Sequence, residues 1–188
     1  MREKRKAAFF DRDGTINVDV GYLHRPEDLL FVKRTPELIR AYNDNGYLVI
    51  VVTNQSGIAR GMYSEKEMEQ LHKVMNFELE RQYGAHIDAF YYCPHLPEIT
   101  GECGCRKPHP GLFIRAIEDY NIDVRKYIIS NFKEDSIEDI EKSISTSIES
   151  KSEDPLIGLG VLFEIMWNNS SNDIKDTILS NIKKGLSN

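Results

Sequence analysis

The sequence predicts an α/β protein, with a parallel sheet in its first part and a small all-α module after it. Up to about residue 120, short apolar runs alternate with amphipathic helical patterns, which is typical of strands joined by crossover helices. After residue 121 the apolar residues recur every three or four positions, which indicates helices alone. We therefore expect an α/β domain at residues 1–121 and a helical module at residues 122–188.

Three segments have the composition of strands. They are Ala7 to Phe10, Tyr47 to Thr53, and Asp88 to Tyr92. The second is a continuous apolar run, as expected of a parallel strand that is covered on both faces.

Three helices are predicted between and after these strands. Thr35 is expected to cap the first, with Pro36 at its first position and Gly46 at its end. Ser64 and Glu67 form a capping-box pattern that opens the second, which should run to about Gly84. The third should begin at Pro110-Gly111 and end near Tyr120.

The last third of the chain has three apolar stretches. Isoleucines recur at helical spacing from Ile137 to Ile148, and apolar residues do so again from Ile174 to Leu186. Between them, Leu156 to Trp167 is apolar almost all round and contains Gly158 and Gly160. We expect a buried hairpin-like turn and a helix there.

Composition limits the possible partners. The chain has 188 residues, 40% of them hydrophobic, and a formal charge of -6, so it can bury one core plus a small appendage. Its acidity argues against nucleic acid or an anionic membrane as a partner. Only four apolar residues follow the basic start at Arg2 to Lys6, too few for a signal peptide or a membrane span. We expect a cytoplasmic protein and leave its oligomeric state open.

Two carboxylates stand directly behind the first predicted strand. Asp11 and Asp13 flank one residue, and Gly14 follows them. A carboxylate nucleophile with a second carboxylate as acid and base is a pattern of phosphoryl transfer. A solvated turn is the alternative interpretation of this pair.

Two further segments could complete such a site. Residues 53–57, Thr-Asn-Gln-Ser-Gly, follow the second strand and offer a hydroxyl, an amide and backbone N–H groups. Arg106 and Lys107 offer the positive charge that a phosphate requires. Separately, the two would be an ordinary polar turn and a solvated basic pair. Their order along the chain favours a single site at the carboxyl edge of the sheet.

Three cysteines and a histidine cluster within thirteen positions. Cys93, His95, Cys103 and Cys105 offer three thiolates and one imidazole from two short arms. Such a set is typical of a closed, tetrahedral, structural Zn²⁺ site. The alternative is three buried thiols and a surface histidine.

Residues 5 to about 121 resemble the histidinol-phosphatase and heptose-bisphosphate phosphatase branch of the haloacid dehalogenase (HAD) superfamily. The resemblance lies in the stretches FFDRDGTIN, GYLHRPED, VVTNQSGIARG, YYCPH and CGCRKPHPG. It implies a phosphatase of a sugar bisphosphate, of the D-glycero-D-manno-heptose 1,7-bisphosphate type, that works through an aspartyl-phosphate.

The resemblance also implies roles for residues. Asp11 would be the nucleophile and Asp13 the general acid and base, while Thr53, Asn54 and Lys107 would bind the transferring phosphate. Mg²⁺ would be held by the Asp11 carboxylate, the Asp13 carbonyl and a later aspartate, and Zn²⁺ by the cysteine and histidine cluster. The positions that match contacts to the sugar phosphate are Asp19, Gly21, Tyr22, Gln55, Ser56 and Arg106.

The chain departs from the family after the third predicted helix. The family has a fourth strand ending in Gly-Asp, whose aspartate holds Mg²⁺, whereas Ser130-Asn131 stands here and Asp135 follows four residues later. A neutral amide is a poorer Mg²⁺ ligand than a carboxylate. We therefore expect Mg²⁺ binding to be weakened or lost, and activity to be impaired or absent.

Residues from about 122 to the end resemble the small acid-soluble spore protein I family, in IDVRKYIISNF, PLIGLGVLFEIMW and IKKGL. That resemblance makes Asp123 to Phe132 the opening helix of a foreign module. It also suggests an alternative function, a noncatalytic helical module fused to an inert phosphatase fragment, for which the spore core is a possible location. The other interpretation of this stretch is a degenerate phosphatase tail with a strand at Lys126 to Asn131.

Overall fold

A computed structural model describes residues 4–149 and 156–186. The chain divides into two compact units, Met1–Asp123 and Val124–Asn188. Each unit has its own architecture, and the catalytic motifs predicted from the sequence all lie in the first.

The first unit contains a three-stranded parallel sheet. Its strands are β1 (Ala7–Phe10), β2 (Leu48–Asn54) and β3 (Ala89–Cys93), in the order β1-β2-β3. Phe10 pairs with Val51, and Thr53 pairs with Tyr92. The predicted α/β fold is confirmed, and the last two strands begin and end one residue later than expected.

Four helices accompany the sheet: α1 (Thr35–Asp44), α2 (Glu65–Tyr83), α3 (Pro97–Thr100) and α4 (Gly111–Tyr120). The predicted capping box of α2 is confirmed, because the Ser64 N–H donates to Glu67 Oε2 (2.7 Å) and the Glu67 N–H donates to Ser64 Oγ (3.2 Å). Gly84 ends this helix at a φ of 63°, a left-handed conformation that glycine adopts at little cost.

The predicted cap of α1 is wrong. Arg34 is the N-cap residue, at a φ of 70°, and Thr35 is already helical. The Thr35 hydroxyl donates to the carbonyl of Thr15 (3.0 Å), whereas a capping hydroxyl accepts from a backbone N–H of its own helix. This tertiary bond ties α1 to the loop that follows β1.

Strand β2 is the centre of the core. Its first six residues, from Leu48 to Thr53, are all buried. Val49 and Val51 pack on one face with a cluster that includes residues of α1 and α2, while Ile50 and Val52 pack on the other with residues of α4. Because β2 is covered on both faces, the side chains on both of its faces are apolar, which explains its continuous apolar sequence.

Strand β1 lies at one edge of the described sheet, where a fourth strand starts but does not continue. The Arg5 N–H donates to the Asn121 carbonyl (3.0 Å), and the Asp123 N–H donates to the Arg5 carbonyl (2.9 Å). The pairing is parallel, but helix begins at the next residue, Val124. Residues 7–10 are half-buried at this edge.

The second unit is all-α in its described residues. Its helices are α5 (Val124–Phe132), α6 (Ile137–Glu149), α7 (Leu156–Asn169) and α8 (Asn172–Gly185). A strand at Lys126 to Asn131 is therefore wrong, because α5 covers those residues. The helices predicted from the isoleucine spacing are confirmed as α6 and α8.

The hairpin-like turn predicted near Gly158 and Gly160 is also wrong. Helix α7 runs through both glycines without a break. None of the side chains of residues 158–169 is buried, contrary to expectation. Among the described residues, no helix is both long and apolar enough to cross a bilayer.

Candidate active site and metal centre

Asp11 follows β1 directly and is in ionic contact with Lys107. Lys107 Nζ lies 2.8 Å from Asp11 Oδ2, and the Arg12 backbone N–H donates to Asp11 Oδ1 (2.7 Å). The Asp11 side chain is 44% exposed. Both oxygens are therefore held by donors, while the carboxylate stays open to a ligand from solvent.

The Asp13 carboxylate points inward, where three side chains donate hydrogen bonds to it. Arg12 NH2 donates to both oxygens (2.9 and 3.0 Å), Asn17 Nδ2 donates to Oδ1 (3.0 Å), and Gln55 Nε2 donates to Oδ2 (2.9 Å). The arrangement fixes the orientation of Asp13 beside Asp11.

Residues at the end of β2 and just after it support these hydrogen bonds to Asp13. Thr53 and Gln55 are 1% and 2% exposed, and Gln55 Nε2 also donates to Thr53 Oγ1 (2.9 Å). The Tyr63 hydroxyl donates to Gln55 Oε1 (2.6 Å). Burial raises the pKa of Tyr63, so its hydroxyl keeps the proton that this bond needs. Gln55 therefore orients Asp13.

Asn54 clamps the backbone of Lys107. Its Nδ2 donates to the Lys107 carbonyl (3.1 Å), and its Oδ1 accepts from the Lys107 N–H (2.9 Å). The two bonds satisfy both backbone polar groups of Lys107 from the last residue of β2. The position of the Lys107 side chain against Asp11 thus depends on Asn54.

The remaining candidate residues lie around this centre. The Gly21 N–H donates to Asp19 Oδ1 (2.9 Å), and Tyr22 has a φ of 58°, so both belong to a tight exposed loop. Ser56 is half-buried. In the described part of the chain, no hydrogen bond or ion pair joins Asp19, Tyr22 or Ser56 to Asp11 or Asp13.

The four predicted metal ligands converge. Their ligand atoms all lie within 4.8 Å of one another. The Cys105 sulfur lies 3.1 Å from that of Cys93 and 3.5 Å from that of Cys103, and His95 Nδ1 lies 3.3 Å from the Cys105 sulfur. A tetrahedral Zn²⁺ spaces such ligands by about 3.5 to 3.8 Å, whereas a disulfide would need about 2.05 Å. The set fits a closed metal site that binds through His95 Nδ1.

Two thiols of this cluster, those of Cys93 and Cys105, are held in the neutral form. Burial, followed by the hydrogen bond with Cys105, raises the pKa of Cys93 to about 12. Burial also raises the pKa of Cys105. A bound dication reverses this preference, since thiolates are its ligands.

The metal-type cluster is joined to the phosphate-binding segments by three links. The Gln55 N–H donates to the Cys93 carbonyl (2.8 Å). Arg106 NH1 donates to the His95 carbonyl (3.1 Å). Lys107 itself stands two residues after Cys105. Ordering of the cluster therefore orders the cation that contacts Asp11.

The aspartates alone do not form a complete Mg²⁺ site. In the described residues, the Cys93, His95, Cys103 and Cys105 set is the only group of three or more metal-ligating side chains. Asp13 commits its carboxylate to Arg12, Asn17 and Gln55. Of the two aspartates, Asp11 therefore has the carboxylate that is more open to a ligand, with its side chain 44% exposed.

Four residues that contribute to the site were missed in the sequence. Arg12 and Asn17 are fully buried and contact Asp13 directly. Tyr63 orients Gln55, and His72 contacts Arg12. Arg12 and Asn17 lie within the motif quoted above, so proximity to Asp13 was a usable signal. Tyr63 and His72 gave no such signal in the sequence, because only the tertiary fold brings them near Asp13.

Two family models match the chain. The model described as polynucleotide kinase 3 phosphatase matches residues 6–146, and the model described as small, acid-soluble spore protein I matches residues 122–186. The two matches overlap at residues 122–146. The sequence of α5 and most of α6 is therefore compatible with both families.

Proteins of known activity resemble the chain over most of its length. It is 43% identical over 152 residues to a D-glycero-beta-D-manno-heptose-1,7-bisphosphate 7-phosphatase of Haemophilus ducreyi, covering 78% of this chain and 81% of that one. It is 39% identical over 148 residues to the protein of the same name in Haemophilus influenzae, covering 77% and 78%.

A solved structure has the same fold. The D,D-heptose 1,7-bisphosphate phosphatase of B. bronchiseptica, crystallised with magnesium and phosphate, is 32% identical to this chain and superposes with a TM-score of 0.57. The match covers 63% of this chain and 65% of that one.

Proposed function

This chain belongs to the heptose-bisphosphate phosphatase family of HAD-type hydrolases, and we propose that it derives from an enzyme that removes one phosphate from D-glycero-D-manno-heptose 1,7-bisphosphate. The observation that carries the proposal is the contact of Lys107 Nζ with Asp11 Oδ2 at 2.8 Å. This contact brings the cation of one motif to the nucleophile of another, as a phosphoryl-transfer site requires.

The chain's own residues account for the chemistry as follows. Asp11 attacks phosphorus and forms an aspartyl-phosphate, and Asp13 protonates the leaving sugar oxygen. Two unit charges about 4 Å apart repel by about 4 kcal/mol at an effective dielectric of 20, so Lys107 is needed to offset the charge of the phosphate. Thr53 and the amide of Asn54 lie at the same edge of the sheet and bind phosphate oxygens.

The sugar contacts are assigned to the surrounding loops. Asp19, Gly21 and Tyr22 belong to the exposed loop after β1, while Ser56 follows β2 and Arg106 follows the cysteine cluster. Their exposure or half-burial around Asp11 supports a role in binding the rest of the bisphosphate.

Mg²⁺ would be held by the Asp11 carboxylate and the Asp13 carbonyl. When bound, it neutralises charge on the transferring phosphate. The described residues offer one free anionic ligand for it, and Mg²⁺ prefers an octahedral shell of oxygens that includes carboxylates. We therefore propose that Mg²⁺ binds weakly and that turnover is slow or absent.

Zn²⁺ is assigned to Cys93, His95, Cys103 and Cys105 as a structural ion. The convergence of the four ligand atoms within 4.8 Å supports this assignment. With four protein ligands no position is left for substrate, so the ion orders the loop and does not take part in the reaction.

The second candidate function is a noncatalytic helical module attached to an inert phosphatase fragment. The division of the chain after Asp123 and the spore-protein match over residues 122–186 favour it. Under this proposal residues 122–188 form a separate domain, and the phosphatase part ends before its fourth strand.

Phosphate release from heptose 1,7-bisphosphate distinguishes the two. The assay is run with millimolar Mg²⁺ and again with EDTA, on the parent chain and on Asp11→Asn. Slow release that needs Mg²⁺ and disappears in Asp11→Asn supports an impaired phosphatase. Release indistinguishable from Asp11→Asn supports the noncatalytic module, and rapid release refutes the proposed impairment.

A further inference from the structure

Arg12 is the cation buried behind the catalytic carboxylates. It is 0% exposed, and its guanidinium nitrogens contact three other residues. Nε and NH2 donate to Asp13 Oδ1 (3.2 and 2.9 Å), and NH2 also donates to the Leu23 carbonyl (3.0 Å). NH1 lies 3.4 Å from His72 Nε2.

The last of these contacts fixes the state of His72. A guanidinium has donors and no acceptor, so Nε2 must accept and the proton of the neutral ring must lie on Nδ1. Burial, and then the positive charge of Arg12, lowers the pKa of His72 to about 3. The ring also stacks on Phe90, with centroids 4.2 Å apart, so the position of the acceptor is fixed by β3.

The planarity of the guanidinium makes this contact important for Asp13. Its five N–H groups lie in one plane, so NH1 cannot reach another acceptor unless Nε and NH2 also move. Removal of the His72 acceptor leaves a buried donor unsatisfied, which is costly. Rotation of the guanidinium toward another acceptor then becomes favourable, and any rotation changes its hydrogen bonds to Asp13.

We propose that His72 is a positioning residue, which acts through Arg12 to hold the Asp13 carboxylate in the orientation needed for proton transfer to the leaving group. The inference rests on the proposed role of Asp13 as general acid. It adds a residue of α2 that touches neither substrate nor the reacting atoms.

The positional effect can be measured without turnover. In the full ¹⁵N-labelled chain, the Arg12 Nε–H should give a resolved NMR signal that exchanges slowly with water, and His72 should show an unprotonated Nε2. His72→Leu should abolish the slow exchange, and His72→Gln, which restores an acceptor, should preserve it. His86→Leu is the matched control, because His86 is exposed. An unchanged Arg12 signal in His72→Leu overturns the proposal.

The catalytic effect has a signature that depends on the leaving group. A sugar alkoxide needs a proton as it leaves, whereas a nitrophenolate does not, and kcat/KM reports only the steps up to its departure. His72→Leu should lower kcat/KM for the sugar bisphosphate about 10-fold or more and for p-nitrophenyl phosphate less than about threefold. His72→Gln should restore most of the difference.

An equal fall for both esters would mean a merely structural role and would overturn the inference. Arg12→Lys tests the same point without altering α2, since it keeps the charge and loses the planar fork, and it should show the same selective fall. If the parent chain hydrolyses neither ester, the noncatalytic module is supported over the impaired phosphatase, and the Arg12 signal alone decides whether His72 positions Asp13.

Discussion

Lys107 and Asp11 form an ion pair, with Nζ 2.8 Å from Oδ2, at the carboxyl edge of a parallel sheet. The pair joins the loop after β1 to the segment that follows the cysteine cluster. Neither residue is deeply buried, with side chains 23% and 44% exposed. In solvent such a pair adds little stability, which indicates a functional reason for it.

We predict that Lys107→Ala lowers kcat/KM for phosphate release by about 100-fold or more, because loss of one positive charge leaves the anionic phosphate facing Asp11 without compensation. Steady-state kinetics at saturating Mg²⁺ would check this. Lys73→Ala is the control, as Lys73 is exposed on α2. Equal rates for the two variants would remove Lys107 from the site.

We predict that Asn54→Ala destabilises the first unit by about 2 kcal/mol, since two hydrogen bonds to the Lys107 backbone are lost. Urea unfolding gives the free energy directly. The same variant should bind inorganic phosphate more weakly, because Lys107 is no longer clamped. Unchanged stability would show that the clamp contributes nothing in solution.

We predict one equivalent of zinc per chain, retained through gel filtration and lost in Cys105→Ser. Elemental analysis measures the content. Chelation should lower the melting temperature and weaken phosphate binding, because the cluster is linked to Gln55 and Arg106 through the carbonyls of Cys93 and His95. His86→Ala, which alters a histidine outside the cluster, should keep its zinc. Less than half an equivalent in the parent chain would exclude the site.

Local sequence signals predicted most of the first unit. The strands followed from apolar runs, and α2 followed from the Ser64 and Glu67 pattern, because both depend on neighbours in the chain. Thr35 was misassigned because its hydroxyl bonds to Thr15, a tertiary partner. Periodicity also failed at α7, where apolar residues on all sides and two glycines suggested burial and a turn.

The candidate site could be predicted where each residue acts alone. Asp11, Lys107 and the metal-type ligands carry chemistry in their own side chains, so their types and order sufficed. Arg12, Tyr63 and His72 act through other residues. Arg12 stands beside Asp13 in the chain and could have been found there, whereas the contribution of Tyr63 and His72 depends on distances that only the tertiary fold creates.

We predict that the stability of the parent chain falls as the pH drops from about 6.5 to 3. The pKa of His72 is lowered from 6.5 to about 3 by burial. Between these pH values the unfolded chain therefore binds a proton at residue 72 that the native chain does not bind. One such proton costs up to about 1.4 kcal/mol per pH unit. The measurement is the unfolding free energy of the parent chain and of His72→Gln at pH 7 and pH 4.5. The difference between the two chains separates the contribution of His72 from that of the carboxylates, which titrate in both. An identical pH dependence in both would contradict it.

Asn131→Asp should not raise Mg²⁺-dependent turnover. Residue 131 lies in α5, whereas a metal-binding aspartate would have to end a strand paired with β1. That pairing stops at Arg5, whose two bonds to Asn121 and Asp123 are followed at once by helix. Asn169→Asp, an exposed substitution of equal charge in α7, is the control. A rise of about 10-fold or more in Asn131→Asp alone would mean that α5 can rearrange into a strand, and it would favour a degenerate phosphatase tail over a fused module.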